Sequence, residues 1–194
     1  QESLNLGGKH AHIAIITGAN KSGKSTATAA VAHAIVCAQS LGIAPAQSCR
    51  LVPFSAIRTC LNANTKVVDG KSLFSASIEF ADNVLELNRR IDGATFIATD
   101  ELFNSTEFSR GKLINEQMAR LLATNERIIG IISTHFASAT ELEKELSQDI
   151  INLRAHTHDF DGTTLYHVTP GSSEAQDPLE LIGASQLLRA AGLQ

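Results

Sequence analysis

A chain of 194 residues with 43% apolar content can bury the core of about one domain, which excludes a disordered tail. Sixteen Lys and Arg against 20 Asp and Glu leave a net charge of −4, so a strong electrostatic grip on nucleic-acid phosphates by this chain alone is not expected. No apolar run reaches the roughly 18 residues of a membrane-spanning helix, and no basic segment followed by an apolar stretch opens the chain. A soluble, cytoplasmic protein without membrane contact is therefore expected. Cys37, Cys49 and Cys60 are odd in number and lack CxxC spacing, as expected of reduced thiols rather than a disulfide framework or a thiolate zinc site. The first residue, Gln1, is not methionine, which suggests a piece of a longer protein.

Strand-like and helix-like patterns alternate along the chain, the mark of an α/β layer architecture. Ala11 to Thr17 is a short β-branched apolar run ending at Gly18, as a buried strand should. Ser25 to Ala38 is rich in alanine and free of Gly and Pro, favouring helix. Leu51 to Ile57 reads as a strand, with Pro53 confining it to an edge or a strand start. Over Ser72 to Arg90, Phe74, Ile78, Ala81 and Leu85 recur at helical spacing behind a serine start. Thr95 to Thr99 is a short strand running into Asp100 and Glu101, followed by a helix over Lys112 to Thr124. Arg127 to Thr134 is the purest strand pattern and stops at His135; a helix over Ser138 to Ser147 follows. Ile150 to Thr157 and Thr163 to Thr169 form a hairpin joined by Asp161 and Gly162, and a last helix spans Leu181 to Ala191. The sum is a mostly parallel sheet between helices with an antiparallel addition.

Gly18 to Ser25 reads G-A-N-K-S-G-K-S and fits G-x-x-x-x-G-K-[ST], the phosphate-binding loop. The composition of the chain predicts only about 0.005 accidental matches to that pattern. It lies between a strand and a helix, where backbone N–H groups and the helix N-terminus can face an anion. In that setting Lys24 would reach the β- and γ-phosphates of ATP, Ser25 would bind Mg²⁺, and Thr26 would contact the α-phosphate. A Gly-rich turn with a solvated lysine is the alternative. Such a site also needs a carboxylate for the metal and a group that prepares water. Asp100 suits the first role and Glu101 the second, although an acidic pair at a strand end is common in α/β proteins. His135 ends the next strand, and carboxyl strand ends converge on one crevice, so it belongs near the same phosphate.

These segments together resemble the ATPase domain of the MutS family of DNA mismatch-repair proteins, within the ABC-type P-loop NTPases. TGANKSGKST (Thr17 to Thr26) is similar to TGPNMGGKST, and DGKSLF (Asp69 to Phe74) to the signature segment ending in STF. DELFNST (Asp100 to Thr106) resembles DEIGRGT, STH (Ser133 to His135) resembles ATH, and AGLQ resembles AGLP. The order and approximate spacing agree over essentially the whole chain, residues 1–194. The resemblance implies a homodimer in which each ATP lies between the loop of one subunit and the signature serine, Ser72, of the other. It assigns Gly18, Asn20, Ser22, Gly23, Lys24, Ser25 and Thr26 to nucleotide binding, Ser25 and Asp100 to Mg²⁺, Glu101 to hydrolysis and His135 to sensing the γ-phosphate. DNA contact would belong to domains outside this chain. Departures from the pattern at Ala19, Lys21, Ser22 and Ser77, and the loss of both glycines and the arginine after Glu101, imply a divergent member.

Two other readings of the residues remain open at this stage: a small-molecule or nucleotide kinase, with Arg50, Arg58, Arg89 and Arg90 as lid candidates, and a nucleotide-gated scaffold that does not hydrolyse. His156, His158 and Asp159 are metal-ligand types on one short stretch, better read as a surface strand end than as a zinc site.

Overall fold

The computed structural model describes residues 3–61, 73–102, 108–136 and 138–173. In chain order the elements are β1 (Ile13–Thr17), α1 (Lys24–Leu41), β2 (Ala56–Cys60), α2 (Leu73–Arg90), β3 (Thr95–Asp100), α3 (Phe108–Ala123), β4 (Ile128–Ser133), α4 (Ser138–Glu145), β5 (Ile150–Phe160) and β6 (Thr163–Pro170). They build an α/β fold around one sheet of order β2-β3-β4-β1-β5-β6. The first five strands of that order run parallel and β6 pairs antiparallel with β5.

Two-residue alternation splits β1 between two cores. Ile13 and Ile15 join Ile97, Ile128, Ile132 and Ile150 beneath Val84 of α2, Met118, Ala119 and Leu122 of α3, and Leu142 of α4. Ala14 and Ile16 face the other way, with Phe96, Ala98, Ile131 and Leu153, and Ala27, Val31, Ala32 and Ile35 of α1 cover them. Each fully buried isoleucine here contributes roughly 1.5–3 kcal/mol relative to exposure. Because both faces are covered, the inner strands read as continuous apolar runs, and β1 and β3 are buried at every position.

Besides α1, which runs on to Leu41, and α3, which starts at Phe108 rather than Lys112, three elements differ from the sequence reading. The second strand starts later than Leu51, at Ala56, because Pro53 has no N–H to donate; pairing begins only where Ser55 N–H reaches the Ala94 carbonyl at 2.8 Å. It lies on the sheet edge, as its proline implies. On α2, Ala81 and Leu85 pack against the core as expected, but the fully buried positions are Ser77, Val84 and Asn88, and Ile78 is exposed. Asn88 faces inward because its side-chain oxygen accepts the Thr95 hydroxyl at 3.3 Å, and Arg127 caps the helix end through the Asn88 and Ile91 carbonyls. The hairpin is longer than expected, since β5 continues to Phe160 before Asp161 (φ 48°) and Gly162 (φ 73°) make a tight turn that matches the strand twist. The helix expected over 181–191 lies outside the described residues.

Candidate functional site

The loop between β1 and α1 sits at the carboxyl edge of the parallel strands. A side chain at Gly18 would collide with the Ala155 carbonyl oxygen of β5 and come within 2.5 Å of Ser22 Oγ, so only glycine lets the chain leave β1 at this point. Ser22 N–H donates to the Ala19 carbonyl at 3.2 Å, which closes a turn. Gly23 then takes φ 94°, a conformation that costs other residues, and α1 begins at Lys24. Ala27 N–H donates to the Gly23 carbonyl at 2.8 Å, so the N–H groups of Lys24, Ser25 and Thr26 precede that helical bond and lie at the helix mouth. The first turn has no acidic residue to oppose an anion there. Ser22 Oγ is buried with no hydrogen-bond partner among the described residues, a need that an oxyanion would fill.

Lys24 is 4% exposed, and its ammonium donates to the carbonyls of Gly18 (2.9 Å) and Ala19 (3.1 Å). Glu101 stands 3.9 Å away. Burial lowers the Lys24 pKa below the ordinary lysine value, and the negative charges of Glu101 and then Asp100 oppose that shift without cancelling it.

The acidic couple faces the loop from the end of β3. Asp100 Oδ1 accepts the Ser25 hydroxyl at 3.1 Å and also the Ser133 hydroxyl. Glu101 has φ 52°, a left-handed backbone for a residue that rarely adopts one, and its N–H is held by the Ser133 carbonyl at 3.0 Å. That backbone turns its carboxylate towards His135 Nε2, with which it is in direct contact, and towards Lys24. Lys24, Ser25, Asp100, Glu101 and His135, which the sequence names from three separate segments, are thus brought together. Gly18, Ser22 and Gly23 shape the loop, while Asn20 and Thr26 are exposed on it. Ser72 and residues 103–106 lie outside the described residues.

Among the described residues no group of three or more His, Cys, Asp or Glu could hold a metal ion by itself. A single hydroxyl beside a single carboxylate, as at Ser25 and Asp100, instead suits Mg²⁺, which keeps much of its water and shares its remaining positions with phosphate oxygens. His156 stacks on His167 across the hairpin, ring centroids 5.5 Å apart, consistent with a structural strand pair.

Two neighbours of the site were not legible in the sequence. Ser133 reaches Asp100 only because β4 pairs with β3 in a register that places Asp100 opposite Ser133. Tyr166 of β6 lies over Gly23, where an added Cβ would sit 2.7 Å from Tyr166 Cδ1; the residue is 60% exposed. It comes from 143 positions downstream by way of the hairpin, and no motif announces it.

The sequence profile of MutS domain V matches residues 14–187. The chain belongs to the MutS domain V family. The domain is 27% identical over 174 residues to the DNA mismatch repair protein MSH6 of Saccharomyces cerevisiae, covering 88% of this chain and 14% of that protein. It is 32% identical over 167 residues to the DNA mismatch repair protein MutS of Streptococcus pneumoniae serotype 19F, covering 84% of this chain and 19% of that protein. The DNA mismatch repair protein HexA of Streptococcus pneumoniae serotype 4 is 31% identical over the same length. This domain V therefore spans less than a fifth of these relatives. Of the arginines considered for a kinase lid, Arg89 and Arg90 end α2 ahead of β3, at the edge opposite the loop, and both pair with Glu86. No described helix is long and apolar enough to cross a membrane.

Proposed function

We propose that this MutS-family domain V is a divergent P-loop ATPase domain of the ABC type that binds ATP with Mg²⁺ and hydrolyses it, with the nucleotide state controlling a head-to-tail homodimer. One observation carries the reading: a lysine, a hydroxyl, two carboxylates and an imidazole from distant segments converge on a glycine-shaped loop that holds an unpartnered buried hydroxyl. Lys24 is held ready by two carbonyls, which it leaves for the stronger charge of the β- and γ-phosphates. Helix-mouth N–H groups and Ser22 bind phosphate oxygens. Ser25 and Asp100 would hold Mg²⁺, which would supply charge neutralisation to the phosphates. Glu101 accepts the proton of the attacking water, and His135, already in contact with Glu101, turns to the γ-phosphate. Tyr166 offers an aromatic face beside Gly23 against which a base can lie.

Dimer closure follows if Ser72 of one subunit meets the nucleotide held by the other, because a ligand favours a closed state only through contacts it makes there. DNA binding and mismatch repair, which the relatives' names describe, belong in this account to parts of the protein outside the chain, in agreement with its net negative charge.

The test is single-turnover hydrolysis by the full-length Glu101→Gln protein. ATP binding is retained while hydrolysis falls about 10²-fold or more, the usual worth of a general base. Turnover at the unaltered rate would refute the assignment of Glu101.

A further inference from the structure

Among the described side chains of α3, the buried face carries Asn115, Met118, Ala119, Leu122 and Ala123, of which only the asparagine is polar. Asn115 is 1% exposed. An amide in such a place costs free energy unless its hydrogen bonds are made, and an apolar side chain would fill the space without that cost. Its two bonds go to two different strand ends. Asn115 Nδ2 donates to the Leu102 carbonyl at 3.3 Å, one residue after Glu101. Asn115 Oδ1 accepts the Thr134 hydroxyl at 3.3 Å, one residue before His135. The Thr134 oxygen in turn accepts the Phe136 N–H at 3.1 Å, so the bonds bracket His135 on both sides.

We propose that Asn115 is a positioning residue that fixes the segment carrying Glu101 against the segment carrying His135. This inference rests on the hydrolytic reading of Glu101 given above. Glu101 adopts φ 52°. A strained backbone of this kind persists only where its surroundings over-determine it. On one side the Ser133 carbonyl holds the Glu101 N–H at 3.0 Å. On the other the chain is held by the buried Leu102 side chain and by Asn115 at the Leu102 carbonyl. Without Asn115 the second support loses its hydrogen bond, and the segments carrying the carboxylate and the imidazole shift against each other while the loop, Lys24 and Ser25 stay as they are. The loss therefore falls on hydrolysis and spares nucleotide affinity.

The experiment compares full-length wild type, Asn115→Leu, Thr134→Val, Thr134→Ser, the Asn115→Leu/Thr134→Val double variant and Glu101→Gln, by single-turnover ATP hydrolysis and Mg·ADP calorimetry. Asn115→Leu and Thr134→Val each slow hydrolysis about tenfold or more, since displacement of a reacting group by a fraction of an ångström has effects of that order. The double variant is slowed by less than the product of the two single effects, because both singles already remove the Asn115–Thr134 bond. Thr134→Ser, which keeps the hydroxyl, stays near wild type, and Mg·ADP affinity changes by no more than about twofold throughout. Hydrolysis by Asn115→Leu at the wild-type rate while Glu101→Gln is inactive overturns the positioning role alone. Loss of affinity in parallel with rate overturns it as well, by showing general damage. Should Asn115→Leu fail to fold, Thr134→Val against Thr134→Ser decides the matter, equal rates of the two overturning the proposal. Full hydrolysis by Glu101→Gln sinks both this inference and the reading beneath it.

Discussion

Gly23→Ala is the smallest change that tests how the loop is built. Gly23 sits at φ 94°, where an L-residue pays about 1–2 kcal/mol of backbone strain. The new methyl would also lie 2.7 Å from Tyr166 Cδ1, below any ordinary contact. Tyr166 is 60% exposed and can swing outward, so the steric part is smaller than in a closed core, about 1 kcal/mol. The expected loss of folding stability is about 2–3 kcal/mol, read by urea denaturation of the variant against wild type. Removing the ring as well, in Gly23→Ala/Tyr166→Ala, recovers the steric part and leaves the backbone part of about 1–2 kcal/mol. If the loop relieves its strain by rotating, the helix-mouth N–H groups turn from the anion and Mg·ATP affinity falls by about tenfold. Stability and affinity both unchanged in Gly23→Ala would refute the reasoning about this loop.

Three further outcomes are expected. Burial lowers the Lys24 pKa in the free protein and phosphate raises it again, so at pH values near and above the lowered pKa binding takes up a proton, and Mg·ATP affinity falls as pH rises through it. Calorimetry in buffers of different ionisation enthalpy reads that uptake, and proton release would contradict it. Lys24→Ala and Ser72→Ala homodimers are each inactive, yet an equal mixture regains about a quarter of wild-type hydrolysis, because the mixed dimer has one intact shared site; no gain on mixing rules out sites completed in trans. Glu143 accepts both the Asn152 backbone N–H (3.1 Å) and its side-chain amide (2.8 Å), which pins α4 to β5. Glu143→Ala accordingly lowers stability by about 1–3 kcal/mol in chemical denaturation, and an unchanged midpoint would show the pin to be idle.

What the sequence discloses here follows from what each signal depends on. The strands of the sheet interior were legible because burial on both faces demands continuous β-branched runs, as in Ile128 to Ile132. The loop was legible because its glycines answer to local sterics at Gly18 and Gly23. Asp100, Glu101 and His135 could be placed by the rule that carboxyl strand ends converge. Register and rotation were not legible. Ile78 on α2 matches the helical period as well as its neighbours do, and the burial of Val84 with the bond between Asn88 and Thr95 shows which way the helix turns. Ser133, Tyr166 and Asn115 owe their places to strand order, hairpin length and helix docking, which no local pattern records.

In the function proposed above, the loop from Gly18 to Ser25 grips the phosphates of ATP through Lys24. Calorimetric titration of Mg·ATP into the full-length wild type and its Lys24→Ala variant reads the contribution of that lysine. Loss of one charge-assisted contact of about 1.5–3 kcal/mol predicts an affinity lower by about 10- to 100-fold in the variant. Equal affinity in the two proteins would contradict the account.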